Sequence, residues 1–220
     1  PSMIMTVLAP AISGLDSLVG ICLITMIAQV FWFFGLHGAS ITQPIRLPFM
    51  QMYLIANISA FSAGQPIVHY FTQSFWSYVI TLGGGGATMG LCILLLRSKS
   101  AELKTLGKLS IGPAIFNINE PIIFGLPLVM NPMYIVPFIL SPVVCNIIGW
   151  FCVCVIKIIP PVAYSVAWTT PGFLIPFLGS GANNIMALVI GFVCVGVSTL
   201  IYLPFVIAST KAALKAEGAE

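Results

Sequence analysis

The sequence predicts an all-α membrane protein, with several transmembrane helices plus two re-entrant hairpin segments. Three observations lead there. Charged residues make up 6% of the 220-residue chain and hydrophobic ones 59%, against about 25% charged in a soluble domain. The few charges are clustered, so that 47–96, 121–156 and 158–210 carry no Asp, Glu, Lys or Arg. A bilayer-spanning helix needs about 20 mostly apolar residues, and each interval accommodates one. Two further stretches, 111–130 and 159–182, are too rich in Pro, Gly and polar residues for straight spans. Irregular backbone at membrane depth is tolerated where it is buried in protein or lines a cavity, which is the reason to read these two as re-entrant.

Taken in order, residues 1–16 form an N-terminal end or interfacial segment, broken by Pro10 and Gly14. Asp16 is the expected N-cap of a first span over 17–36, which closes on the aromatic run Phe31-Trp32-Phe33-Phe34. Pro44, Pro48 and Pro66 interrupt 37–73, so a tilted or amphipathic helix over 47–63 is expected there. A second span covers 74–96, with Gly83–Gly86 in its middle; each glycine weakens a helix by about 1 kcal/mol, which points to close packing or a local break.

The basic segment 97–110, with Arg97, Lys99, Lys104 and Lys108, is cytoplasmic by the positive-inside rule. So is a tail over 208–220, which implies an even number of crossings in between. Those are expected over 132–156, opened by Asn131-Pro132, and over 184–207, opened by Asn183 or Asn184. The whole of 17–207 then forms one transmembrane domain. A net charge of +3 with so few basic residues excludes a nucleic-acid partner, and the bilayer is the expected surroundings. The six cysteines lie in apolar segments and act as small filler; neither metal nor cofactor is expected.

Glu120, in Phe-Asn-Ile-Asn-Glu-Pro at 116–121, is the acid that stands alone between Glu102 and Glu217, amid Ile115, Ile118, Ile122, Ile123 and Phe124. An ionisable group at bilayer depth is a functional-site hypothesis by default. Burial is expected for it. Asn117 and Asn119 beside it supply donors and acceptors suited to a polyhydroxyl ligand. His37 follows the aromatic run, and catalysis and structure are even readings of it; for His69 the structural reading is preferred. Trp168-Thr169 offers an indole platform and a hydroxyl, and Trp32 a second platform, but for each tryptophan the residues by themselves favour an interfacial place in the aromatic belt. The glycine run is no nucleotide loop, because no Lys-Ser/Thr follows it.

Several stretches carry a resemblance. These are Phe-Trp-Phe-Phe-Gly-Leu-His-Gly at 31–38, Gly-Gly-Gly-Gly-Ala-Thr at 83–88, Ser-Lys-Ser at 98–100 and Leu-Gly-Lys-Leu at 106–109. The run from Pro113 through Asn-Ile-Asn-Glu-Pro to Pro132, Trp-Thr-Thr-Pro at 168–171 and Ile-Tyr-Leu-Pro-Phe at 201–205 complete the set. In order and spacing the chain resembles enzyme IIC, the membrane component of the lactose/cellobiose/diacetylchitobiose family of the bacterial phosphoenolpyruvate-dependent sugar phosphotransferase system.

That resemblance implies a multi-pass protein of the bacterial inner (plasma) membrane. It implies a disaccharide substrate phosphorylated at C6, a phosphorylated IIB protein as donor through its phosphocysteine, and a homodimer for the full-length protein. It further implies that Glu120 and His37 hold the reacting hydroxyl, with Glu120 or His37 as base, that Trp32 and Trp168 stack on the sugar, and that Asn119 and Thr169 contact it. Family members are about twice as long, and with Pro1 in place of an initiator Met the chain is expected to be the C-terminal, substrate-binding part of something longer. Ala56 stands where the family usually has an acid. The second reading is an ion-coupled transporter of a polar solute, with Glu120 as proton carrier.

Overall fold

The computed structural model describes residues 14–79 and 82–218. Among them regular structure is helical throughout, in the order α1 Leu18–Phe33, α2 Gly38–Ser62, α3 Gln73–Val79, α4 Met89–Leu96, α5 Ala101–Ile115, α6 Glu120–Gly125, α7 Ile135–Trp150, α8 Ile175–Gly179 and α9 Ile185–Ala216. A wider π turn at Phe151–Val155 extends α7, and a 3-10 turn at Gly172–Leu174 leads into α8. The segments 17–36, 132–156 and 184–207 expected to be spans are α1, α7 and α9. Two of these, α7 with its π turn and α9, are long and apolar enough to cross a membrane, with mean hydropathies of 2.2 and 2.4. Large side chains such as Val19, Leu23, Phe192 and Leu200 point outward, as a lipid-facing wall requires. Most of 1–16 lies outside the described residues.

Several boundaries differ from expectation, each for a local reason. Ser17 rather than Asp16 caps α1, accepting from Gly20 N at 3.0 Å. Asp16 is drawn off by a distant loop: it accepts from Tyr70 N and Phe71 N at 3.2 and 2.9 Å and meets His69 Nδ1 at 2.7 Å. His69 is thereby structural, stacked on Tyr53 at 4.5 Å. The helix expected over 47–63 begins at Gly38, because His37 Nδ1 accepts from Ser40 N and caps it. Its Pro44 and Pro48 lie on the exposed side, where the missing N–H leaves no buried carbonyl unpaired. Asn131 does not cap α7; its side chain closes a turn on Met133 N at 3.0 Å and the helix starts at Ile135. Asn184 does cap α9, accepting from Met186 N and Ala187 N at 2.9 and 3.3 Å.

The second expected span, 74–96, is broken into α3 and α4. The described part of the break is 82–88; Ile80 and Thr81 fall outside the described residues. Gly83, Gly84 and Gly86 all have φ between 80° and 98°, a region closed to helical residues. The basic segment is helix from Ala101, and α5 turns back along α4. Of the two expected re-entrant stretches, 111–130 is the end of α5, an irregular turn at 116–119 and the short α6, and 159–182 is irregular apart from the 3-10 turn and α8. Met130 N donates to Phe33 O at 2.8 Å and ties the first of them to the end of α1.

Two apolar clusters organise the interior. One gathers Ile21, Ile24, Met50, Phe71, Phe75 and Trp76 between α1, α2 and α3. The other gathers Trp32, Leu91, Leu95, Ile122, Phe138 and Tyr202 around α4, α6 and α9. Gly90 lets α4 press on α9 so closely that a side chain there would overlap the Thr199 backbone.

Helix α9 continues past 207 to Ala216, and its end is tied to α5. Glu217 accepts from Ser100 Oγ at 2.5 Å and from the amides of Glu102 and Ala101 at 3.2 and 3.3 Å. The basic segment and the chain's end therefore lie on one side of the molecule, as the charge pattern requires. The Ser100 hydroxyl and these amides hold the Glu217 carboxyl below the usual carboxylate range. A depressed pKa in the folded state means that this tether acts above the ordinary glutamate value, about 4.3, and is lost as pH falls through the lower folded value. Glu217→Gln is expected to speed hydrogen exchange at the Ala101 and Glu102 amides at pH 7 and to abolish its acid dependence. Exchange identical to wild type at both pH values would refute the tether.

Candidate sugar site

The broken segments meet around one cavity of about 310 Å³, at the lower end of the range for small-molecule sites, about 300–1,000 Å³. Its depth follows from two hydrogen bonds. Ser198 Oγ donates to Ala87 O at 2.6 Å and Tyr202 Oη to Gly86 O at 2.8 Å. Both residues sit near the middle of the 32-residue α9, which is about 48 Å long at 1.5 Å per residue. The glycine loop is thus held at mid-depth of the longest spanning helix.

That loop forms part of the cavity wall through Gly84 and Gly85. A Cβ on Gly84 would overlap the Asn119 side chain, and its φ of +98° strains any other residue. A Cβ on Gly85 would come within 2.9 Å of Trp32 Nε1. The glycines thus let the loop backbone approach an asparagine and an indole at once, which is the physical sense of the run.

Asn119 is 3% exposed. Its Nδ2 donates to Gly85 O at 2.6 Å and to Thr88 Oγ1 at 3.2 Å, and Thr88 Oγ1 donates to Gly83 O at 2.6 Å. Much of its bonding capacity is therefore spent on holding the glycine loop. Asn117 does the same on a larger scale. With φ +63° it donates from Nδ2 to Trp168 O and Thr170 O at 2.6 and 2.9 Å, and its Oδ1 accepts from Gly83 N at 3.2 Å. One side chain joins the glycine loop, the 116–119 turn and the 168–170 stretch.

Five of the six residues that the resemblance implies for the site line this cavity, Trp32, His37, Asn119, Glu120 and Trp168, and so does Asn117. Thr169 is exposed and lies off the wall. Trp32 is buried and packs against His37, ring centres 4.3 Å apart; Trp168 is 54% exposed. Glu120 corrects an expectation. It is exposed to the cavity rather than buried in apolar surroundings, because it opens α6 at the lip of an irregular turn, where its isoleucine neighbours Ile122 and Ile123 point into the core instead. Sequence reasoning missed Gln29, Gln43, Arg46, Gln73 and Trp76, which also line the site. Gln43 and Arg46, three apart on α2, are the one pair with a local signal, a polar stripe in an apolar helix.

The fold as a whole matches the crystal structure of the transporter ChbC, the IIC component from the N,N'-diacetylchitobiose-specific phosphotransferase system. The TM-score is 0.90 at 35% identity, over 96% of this chain and 49% of that one. Residues 2–142 match the family model described as phosphotransferase system, EIIC. The chain belongs to the phosphotransferase system EIIC family.

Curated EIIC relatives extend the likeness. The lichenan permease IIC component of Bacillus subtilis (strain 168) is 38% identical over 202 residues, 91% of this chain and 44% of the relative. The oligo-beta-mannoside-specific EIIC component of the same organism is 37% identical over 191 residues, 86% and 43%. The lactose-specific EIICB component of Lacticaseibacillus casei is 35% identical over 207 residues, 94% and 36%. The chain thus spans less than half the length of these relatives. EIIC proteins are integral membrane permeases, which places the apolar outer wall in lipid. Membership of a sugar phosphotransferase family does not favour the ion-coupled reading.

Proposed function

We propose that this EIIC chain is the substrate-binding part of a bacterial plasma-membrane permease that takes up a β-linked disaccharide and presents its C6 hydroxyl for phosphorylation. The observation that carries the reading is the shared cavity: three indoles, an imidazole and an exposed carboxylate, drawn from α1, the 34–37 turn, α3, α6 and the 168–170 stretch, line one space. Indole faces suit the C–H faces of sugar rings, and a carboxylate or imidazole suits a hydroxyl that must lose a proton. The relatives serve lichenan, oligo-beta-mannoside, lactose and diacetylchitobiose systems by name, which agree in a β-linked saccharide.

The chemistry asked of the site is modest. The sugar C6 oxygen attacks the phosphorus of a phosphocysteine on the IIB partner. The P–S bond breaks, the thiolate leaves with the IIB protein, and the hydroxyl proton passes to the Glu120 carboxylate, with His37 holding the same oxygen. Positioning and proton removal are what the permease contributes. Arg97, Lys99, Lys104 and Lys108, all exposed on the basic side, attract the anionic partner.

The test is uptake into membrane vesicles loaded with phosphorylated IIB protein. Labelled disaccharide should appear inside as its 6-phosphate, and only when the phosphorylated partner is present. Accumulation of unmodified sugar in step with a proton gradient would overturn the proposal.

A further inference from the structure

Three buried polar atoms on α1 and α7 have no hydrogen-bond partner: Gln29 Oε1, Asn146 Oδ1 and Trp150 Nε1. Gln29 and Asn146 are both buried, and all three atoms are sealed from solvent, so only another protein group can satisfy them. Leaving such groups unpaired is costly. The two helices pack on each other and run in opposite directions. Thr25 Oγ1 of α1 accepts from Asn146 Nδ2 of α7 at 2.8 Å. The end of α1 lies by the start of α7, where Phe33 O accepts from Met130 N at 2.8 Å. The start of α1 lies by the end of α7, because Asp16 binds the amide of Tyr70, whose ring stands edge-on to Trp150 with centres 6.4 Å apart. In this register the residue of α7 level with Gln29 is Pro142, which has no N–H to offer.

The unpaired atoms fall into step when α1 slides one turn along α7. Gln29 is four residues after Thr25, and Trp150 four residues after Asn146, so each pair shares a helix face. Because the helices are antiparallel, moving α1 about 6 Å towards its own N-terminus brings Gln29 to Asn146 and Thr25 to Trp150 together. The two carboxamides then exchange N–H to oxygen bonds in both directions, and Trp150 Nε1 donates to Thr25 Oγ1. Thr25 keeps its own donor bond to Ile21 O, which lies within α1. Ala28 and Gly149, three residues on from Thr25 and Asn146 and both buried, are small enough to pass. The present register is held instead at its two ends. Asp16 ties the start of α1 to His69, Tyr70 and Phe71, and Met130 N ties its end at Phe33 O.

We propose that α1 is a two-position slide on α7, able to move by one helical turn. In the present register its ends are satisfied and its middle is not; one turn away the reverse holds. Two discrete packings of this kind are what a one-turn ratchet requires. Trp32 and, through the 34–37 turn, His37 travel with α1. The slip carries the Trp32 indole about 6 Å away from Gly85, which it now faces across the glycine loop, and so takes the cavity apart. A ligand that grips Trp32 and Glu120 at once binds only the present register and therefore favours it. The ligand's part rests on the reading of the cavity as a sugar site; the slide does not.

The experiment reads the distance between spin labels at Val19 and Val136, both exposed on the outer wall, in the protein in nanodiscs. The labels are attached through unnatural ketone-bearing residues, so the native cysteines stay in place. Val19 lies near the start of α1 and Val136 near the start of α7, at opposite ends of the antiparallel pair, so the slip lengthens their separation by about 6 Å. Wild type should show a major short and a minor long distance. Asp16→Ala, which frees the start of α1, should enlarge the long population about fivefold or more, the worth of one ordinary hydrogen bond. Adding Gln29→Leu should reverse that gain, because the amide pair no longer forms. Cellobiose, lactose or β-1,4-mannobiose should deplete the long population. A single distance in both wild type and Asp16→Ala overturns the slide, and so does a long population that Gln29→Leu leaves unchanged. Populations that follow the substitutions but none of the three sugars overturn the ligand's part, and leave the slide standing. If Asp16→Ala is polydisperse, His69→Leu, which removes one of the Asp16 contacts, decides in the same sense.

Discussion

Replacing Glu120 with Gln is expected to slow sugar phosphorylation in vesicles about 100-fold or more, the usual range for loss of a general base, while disaccharide binding changes little. Glutamine keeps the shape of the side chain and one carbonyl acceptor, but it takes up no proton at neutral pH. The substitution also leaves the fold untouched, since the Glu120 carboxylate is exposed to the cavity and the turn beneath it is held by Asn117 and Asn119 instead. Phosphorylation at the wild-type rate would sink the base assignment and shift it to His37, whose Nδ1 is already engaged with Ser40 N at 3.1 Å. His37→Ala removes the α2 cap together with the imidazole and is expected to lower stability as well as rate, whereas Glu120→Gln lowers rate alone.

Asn117→Ala is expected to do more damage than any other single change in the cavity wall. It strips the donors from Trp168 O and Thr170 O and the acceptor from Gly83 N. At roughly 1–2 kcal/mol apiece in a membrane setting, the loss comes to about 3 kcal/mol or more. Alanine at φ +63° adds about 1 kcal/mol of backbone strain. A fall in melting temperature of about 10 °C follows for a chain of this size, and sugar binding should be lost with it, because Trp168 and the glycine loop are no longer held against the same turn. Asn117→Gly separates the two contributions: it relieves the strain but not the missing bonds, and should recover only the smaller part. Melting and binding both unchanged in Asn117→Ala would show that the three segments are held by packing alone.

The two asparagines illustrate what was legible in advance. Their polarity in an apolar run marked them, and the suggestion drawn from polarity was a ligand. Polarity has a second use at membrane depth, where no water is present to satisfy an irregular backbone, and here both spend side-chain bonds on the backbone, Asn117 on three groups. The partners of Asn117 are 34, 51 and 53 residues away, beyond the reach of any local pattern. Arg46 was hidden for a related reason. In sequence it is a charge at the edge of a long apolar interval, the ordinary sign of a membrane boundary. It becomes a cavity residue only because α3 brings Trp76 and Gln73 across to it.

What the sequence determined by itself was whatever depends on composition and helical period. Charge-free intervals demand a membrane, Asn183 or Asn184 opens the last helix, adjacent glycines mark close packing or a local break in the second span, and one acid alone in an apolar stretch marks a residue of the cavity wall. The all-α membrane fold with its interrupted segments follows from these, as do five residues of the cavity wall. The tertiary structure decided where the interruptions meet. It turned the break in 74–96 into a loop facing Trp32 and Asn119, exposed Glu120 to the cavity instead of burying it, and set Arg46 in the wall over the Trp76 ring. The physical reason is that a broken helix leaves backbone groups that must find partners, and those partners lie on other segments, which only the assembled fold brings within reach.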